Sequence, residues 1–199
     1  MNEDGTWSIT TTTFTDFSLI ILYSDTEDGQ RYSGHVRLVT IAEGDDITLD
    51  ECLVVPLIGT LPVLEAPTTI TADILSFDID PDKMDFNLGY DHALAGKRVD
   101  VDIMPKDAID GMKPIAMWAF AVFGVRTEDE DQSIPLTIAA DPDLVIPAGG
   151  PGATITFYEL NQITAEYASV GTVTIDAEGA MTGDVALHRF SWLVAAVPE

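Results

Sequence analysis

The chain of 199 residues contains a single cysteine, Cys52. A disulfide framework is therefore excluded, and the fold must be held by its own core. Within Cys-Leu-Val-Val this residue reads as a buried small hydrophobe, and the preceding Asp50 and Glu51 argue against a reactive thiolate. Basic side chains are also scarce. Nine Lys and Arg stand against 34 Asp and Glu, for a formal net charge of −25. Such a surface repels phosphate backbones and anionic lipids, so no nucleic acid partner and no membrane surface is expected; cations or basic patches on other proteins are. An acidic surface of this kind suits either a high-salt environment or an extracellular one rich in divalent cations. His35, His92 and His188 have no ligand-like spacing, which leaves zinc unsupported. Gly-x-Ser-x-Gly, Walker and Gly-x-Gly-x-x-Gly motifs are absent. The longest apolar run, Ile115 to Val125, is too short to cross a bilayer as a helix, so no membrane insertion is expected. Met1 is followed by Asn-Glu-Asp-Gly with no leader-like segment. The expectation is a mature, extracellular or cell-surface chain whose signal peptide has been removed.

What is present is apolar material in strand-like patterns. Hydrophobic residues make up 46 % and mean hydropathy is +0.18, enough for a core and unlike a disordered chain. The stretch Leu144 to Val194 organises the reading. Strand-like runs there are separated by Gly and Pro, and Asp176-Ala177-Glu178-Gly179 reads as a hairpin turn. Over Tyr167 to Asp176, Gly171, Val173 and Ile175 share one face and Thr172, Thr174 and Asp176 the other, as in a half-buried antiparallel strand. Further strands are expected at 6–13, 17–23, 31–41, 47–55, 68–80, 84–88, 98–103 and 134–139, with one helical turn at 91–96. Ile115 to Val125 is apolar on both faces and reads as a central strand covered on both sides. Pro56, Pro62 and Pro67 mark an edge or connector. The organisation expected is all-β: an antiparallel β-sandwich, as one large unit or two closely packed ones, divided into residues 1–58 and 59–199.

Three candidate sites stand out. Asp78, Asp80, Asp82 and Asp85 flank a proline turn and could converge on Ca²⁺, which takes six to eight oxygens. Position six of an EF-hand count is Lys83 and position twelve Gly89, so the full motif fails, and a solvated acidic turn is the plainer reading. Glu128-Asp129-Glu130-Asp131 reads as a solvated loop. His188, Phe190 and Trp192 alternate, which puts them on one face of the last strand. His188 and Trp192 are candidate ligand-binding residues for a glycan, while core filling is the ordinary role of Phe190, Trp192, Trp7 and Tyr158.

Asp4-Gly5-Thr6-Trp7-Ser8-Ile9 followed by Leu19-Ile20-Ile21-Leu22-Tyr23 resembles the later half of a carboxypeptidase-regulatory-like (transthyretin-like) sandwich repeat. Gly152 to Trp192 resembles β modules of large secreted or surface bacterial proteins. The resemblance implies a stalk, spacer, adhesion or assembly role outside the cytoplasm and transfers no catalytic residue. The function expected is thus a non-catalytic module that binds other proteins or copies of itself, with no cofactor other than a candidate calcium ion. A carbohydrate-binding module, a hydrolase with paired carboxylates, and a soluble protein of a salt-loving cell are the alternatives.

Overall fold

The computed structural model describes residues 16–21, 28–40, 55–86, 92–104, 109–129 and 131–199. The strand expected at 6–13, Trp7 and Cys52 lie outside these residues, as does all but the last residue of the strand expected at 47–55. The described chain is all-β apart from one short α-helix and two 3-10 turns. Its strands are β1 (Asp16–Ile21), β2 (Arg31–Tyr32), β3 (His35–Thr40), β4 (Leu57–Gly59), β5 (Thr68–Ala72), β6 (Leu75–Ile79), β7 (Met84–Asp85), β8 (Ala95–Val99) and β9 (Met112–Ala121). They continue as β10 (Val125–Thr127), β11 (Ile134–Pro135), β12 (Thr137–Ile138), β13 (Thr154–Leu160), β14 (Tyr167–Ile175), β15 (Met181–Leu187), β16 (Arg189–Phe190) and β17 (Trp192–Pro198).

The principal sheet is antiparallel, curled, and ordered β11-β15-β14-β13-β17-β9-β8. A three-stranded sheet has the order β12-β6-β5. The two are joined by the chain itself, because β11 and β12 are separated only by Leu136. Ile134 and Pro135 pair with β15, and Thr137 and Ile138 pair with β6. Smaller sheets are formed by β16-β10-β7, β2-β4 and β1-β3.

β9 shows why the core sits where it does. Ala116, Trp118 and Phe120 face one apolar cluster, and Met117 and Ala119 face another. An uninterrupted apolar run is what a strand with two dry faces requires. The larger cluster gathers Ile70, Phe77 and Ile79 of the three-stranded sheet's side with Trp118, Phe120, Ile155, Phe157, Val173, Val185 and Leu193 of the principal sheet. Phe77, Phe120 and Phe190 meet at its centre, with ring centroids 4.9 to 5.9 Å apart. Each such ring contributes about 1.5–3 kcal/mol by leaving water. Gly96 of β8 lies opposite Phe120, and a Cβ there would run into the Phe120 ring.

β14 has the expected alternation, with Val173 and Ile175 buried and Thr172 and Thr174 exposed. The hairpin turn is also as expected: the Asp176 carboxylate accepts from the backbone N–H of Glu178 and Ala180 at 3.0 and 2.8 Å. Several expectations are corrected. Residues 68–80 are two strands, because the chain reverses at Asp73-Ile74, where Asp73 has φ 59°. The described residues of 91–96 form no helical turn; Ala93 bridges to Val63 and β8 begins at Ala95. β8 stops at Val99, and Val101–Ile103 is a 3-10 turn capped by Asp100. Pro142–Ala148 is the α-helix, α1, with Asp141 as N-cap and Pro142 in its first turn.

Candidate functional site

The four aspartates of the expected calcium site are near in sequence but are engaged separately. Asp78 accepts from the Thr69 hydroxyl at 2.6 Å. Asp80 caps a 3-10 turn and pairs with Lys83 at 3.0 Å. Asp82 is exposed inside that turn, and Asp85 pairs with Arg126 at 3.1 Å. Among the described residues no group of three or more His, Cys, Asp or Glu side chains is gathered as a ligand set.

His188, Phe190 and Trp192 do not share a face. Phe190 ends β16, whose partner is β10, while Trp192 begins β17, whose partners are β9 and β13. The intervening Ser191 lies between the two strands. Its carbonyl accepts from Phe120 N–H, and its hydroxyl donates to the Leu160 carbonyl at 2.6 Å. The alternation is interrupted there, so Phe190 enters the larger cluster and Trp192 the smaller one. Trp192 is only 1 % exposed, and Tyr158 is partly buried against the same cluster. The His188 side chain is 44 % exposed.

The most concentrated polar cluster was not read from the sequence. Glu159 of β13 is buried, and its carboxylate accepts from the backbone N–H of His188 and Arg189 at 2.9 and 3.4 Å and from Arg189 Nε at 3.3 Å. His188 Nδ1 lies 3.7 Å from the same carboxylate. A buried charge is costly unless paired and hydrogen-bonded, and both carboxylate oxygens are engaged here. A signal was available: Glu159 falls two residues after the inward Phe157, so period two points an acid inward. A second, partly buried pair joins Arg98 to Asp141 at 2.6 Å, with the guanidinium 5.8 Å from the Trp118 ring centroid.

The other feature of note is a seam between sheets. β5 pairs with β6 on one side and, among the described residues, with no strand on the other. It lies alongside β8, the edge of the principal sheet, without forming a ladder to it. The two edges meet where Ala72 approaches Gly96. Next to β5 is a trough of about 580 Å³, lined by residues 62–71 with Leu94 and Ala95. The far wall of the trough is fixed by Leu64 N–H donating to the His92 carbonyl at 2.6 Å and by the Val63–Ala93 bridge.

Comparisons with known proteins add nothing to this geometry: no family model matches the chain, and no curated protein and no solved structure is significantly similar to it. Among the described residues no helix is long and apolar enough to cross a membrane.

Proposed function

We propose that this chain is a non-catalytic β module of the sandwich type that works outside the cytoplasm, binding a protein partner through its sheet edges and loops. The observation that carries this reading is the unpaired length of edge strand. Among the described residues β5 has no ladder partner on the side away from β6, although β8 approaches it at Ala72 and Gly96, and β11 pairs with β15 at Ala186 and Leu187, which leaves Thr182 to Asp184 at an edge. Edges of this kind are templates for pairing with another chain. The strongly acidic composition agrees with it, since a net charge of −25 opposes indiscriminate association and favours basic partners. The charged clusters agree as well: Glu159 and Asp141 are tied to arginines within the fold.

The test is backbone hydrogen exchange of the chain alone and with a surface-protein extract of the cells that make it. Slower exchange confined to edge-strand amides supports the reading. Turnover of glycoside or ester substrates that is lost in Glu159→Gln would overturn it.

A further inference from the structure

We propose that the open edge of β15, residues 181–184, is a strand-addition site for a short, extended, basic segment of a partner polypeptide. The inference rests on the reading of the chain as a partner-binding β module and specifies which edge is used and by what.

The register of β15 fixes which main-chain groups are open. At the base of the hairpin Asp176 N–H donates to the Ala180 carbonyl at 2.9 Å. Beyond it Thr174 pairs with Thr182, and Thr172 with Asp184. Antiparallel pairs alternate between hydrogen-bonded and non-bonded. Thr182 and Asp184 therefore bond to β14, while Met181, Gly183 and Val185 turn their N–H and C=O groups the other way. The far side of the strand agrees, since the Val185 carbonyl accepts from Leu136 N–H at 2.8 Å.

β11 is thus a strand already added to this edge, and it is cut short. After Leu136 the chain leaves for β6, where Thr137 pairs with Ser76. Gly183 and Met181 are the next two outward positions, and among the described residues no strand pairs with them. Thr182, Gly183 and Asp184 are all exposed, although they alternate between the two faces of the sheet. An incoming strand finds the N–H and C=O groups of two residues aligned with the path of β11.

Charge selects the occupant, and it does so locally. Residues 127–188 contain eleven Asp and Glu and no Lys or Arg. This stretch supplies α1 and the strands from β11 to β15, so the β15 end of the principal sheet is built without a cation of its own. Asp141 and Glu159 are tied to arginines from outside the stretch. Asp184 lies on the edge strand itself and Glu178 in its hairpin turn, and both are exposed. The opposite edge of the same sheet, β8, carries Lys97 and Arg98 and is approached by β5 at Gly96. A side chain directly opposite Asp184 on an added strand would sit about 5 Å away, where Lys or Arg is favoured and an acid is not. A second copy adding its own β15 would bring two acidic edges together.

The probe is a labelled peptide, Lys-Val-Thr-Val-Lys, compared with Glu-Val-Thr-Val-Glu by fluorescence anisotropy at about 0.1 M NaCl, where the screening length is about 10 Å. In the dilute chain alone the amides of Met181 and Gly183 should exchange fast and those of Thr182 and Asp184 slowly. The basic peptide is expected to bind at least about tenfold more tightly than the acidic one and to slow exchange at Met181 and Gly183. Asp184→Lys should weaken the basic peptide about threefold or more and tighten the acidic one. Asp110→Lys makes the same charge change at an exposed position before β9, four strands away, and should leave both affinities within about twofold. Met181→Pro removes an outward N–H that β14 does not use and should weaken the basic peptide about threefold or more; should that variant not fold, the two lysine variants decide alone. Equal affinity for the two peptides, absence of binding, or equal weakening by Asp184→Lys and Asp110→Lys overturns the proposal. So does protection of Met181 and Gly183 in the dilute chain alone, or protection that grows with protein concentration without peptide, which would identify a second copy as the occupant. The module reading is decided separately by exchange with the surface-protein extract: protection there at other edge amides keeps the module and removes this site.

Discussion

The indole N–H of Trp192 donates to the carbonyl of Gly34 at 3.0 Å, joining positions 158 residues apart. Beside it the Ser33 hydroxyl donates to the Phe120 carbonyl at 2.7 Å, and Ser33 N–H donates to the Pro56 carbonyl at 2.8 Å. Ser33 and Gly34 are both buried. The short segment 31–34 is thus fastened to the centre of the principal sheet, although the sequence alone suggests a boundary near residue 58.

Trp192→Phe keeps an aromatic ring but removes the donor and leaves the Gly34 carbonyl without it. The expected loss is about 2–3 kcal/mol, from one buried hydrogen bond plus the unfilled volume. Urea unfolding measures it, and an unchanged midpoint would show that the fastening contributes nothing.

Glu159→Gln replaces a carboxylate that takes three hydrogen bonds with an amide whose NH₂ must face donors. Arg189 is left without its anion. A destabilisation of about 3 kcal/mol is expected. Arg189→Met in the Glu159→Gln background should recover part of it, which a double-mutant cycle on thermal or urea unfolding would read.

Tyr167 supplies a pH dependence. Burial raises its hydroxyl pKa far above the ordinary value of 10.0. The folded state then holds this proton where the unfolded state releases it. Its contribution is fully present below about pH 10 and is lost as pH rises beyond that, at up to about 1.4 kcal/mol per pH unit. Tyr167→Phe should remove this part of the alkaline decline. Near neutral pH the same substitution should cost less than about 1 kcal/mol, because the buried hydroxyl has no hydrogen-bond partner among the described residues. Paired unfolding curves from pH 7 to about pH 11 test both statements.

Gly171→Ala probes the β14–β15 ladder. Gly171 has φ 140°, and a Cβ there would run into the Asp184 carbonyl oxygen of the neighbouring strand. A loss of about 2 kcal/mol or more is expected. The same substitution at Gly179, whose Cβ would meet nothing within 4 Å, should cost less, its penalty coming from φ alone.

Salt should stabilise the fold. With −25 on 199 residues, self-repulsion is a general cost of compaction, and the screening length falls from about 10 Å at 0.1 M to about 3 Å at 1 M. The thermal midpoint is expected to rise across that range in NaCl. A fall would mean that exposed attractive pairs such as Lys83–Asp80 outweigh the net repulsion.

The long, strongly patterned strands were legible in the sequence. β9 shows itself as a run with two apolar faces, β14 as strict alternation, and the Asp176 turn by its glycine. What was missed depends on short signals or on tertiary placement. Asp73-Ile74 has no glycine to mark a reversal, so two strands read as one. α1 spans only Pro142–Ala148 and includes Pro147, which left too little helical period to detect. The flip of face between Phe190 and Trp192 follows from two strands choosing different partners, which no local pattern records. The Glu159 cluster needed two segments about 30 residues apart, β13 and His188-Arg189, brought together, and only the inward parity of Glu159 was visible beforehand.

β17 occupies the middle of the principal sheet, between β13 and β9, yet it is built from residues 192–198. During synthesis β9 and β13 are both complete while the strand that must separate them is still unmade. Their inner edges wait, exposed, until Pro198 has emerged from the ribosome. A chain truncated before Trp192 would leave the two halves of the sheet without their common neighbour, and the product is expected to be a substrate for chaperones and proteases.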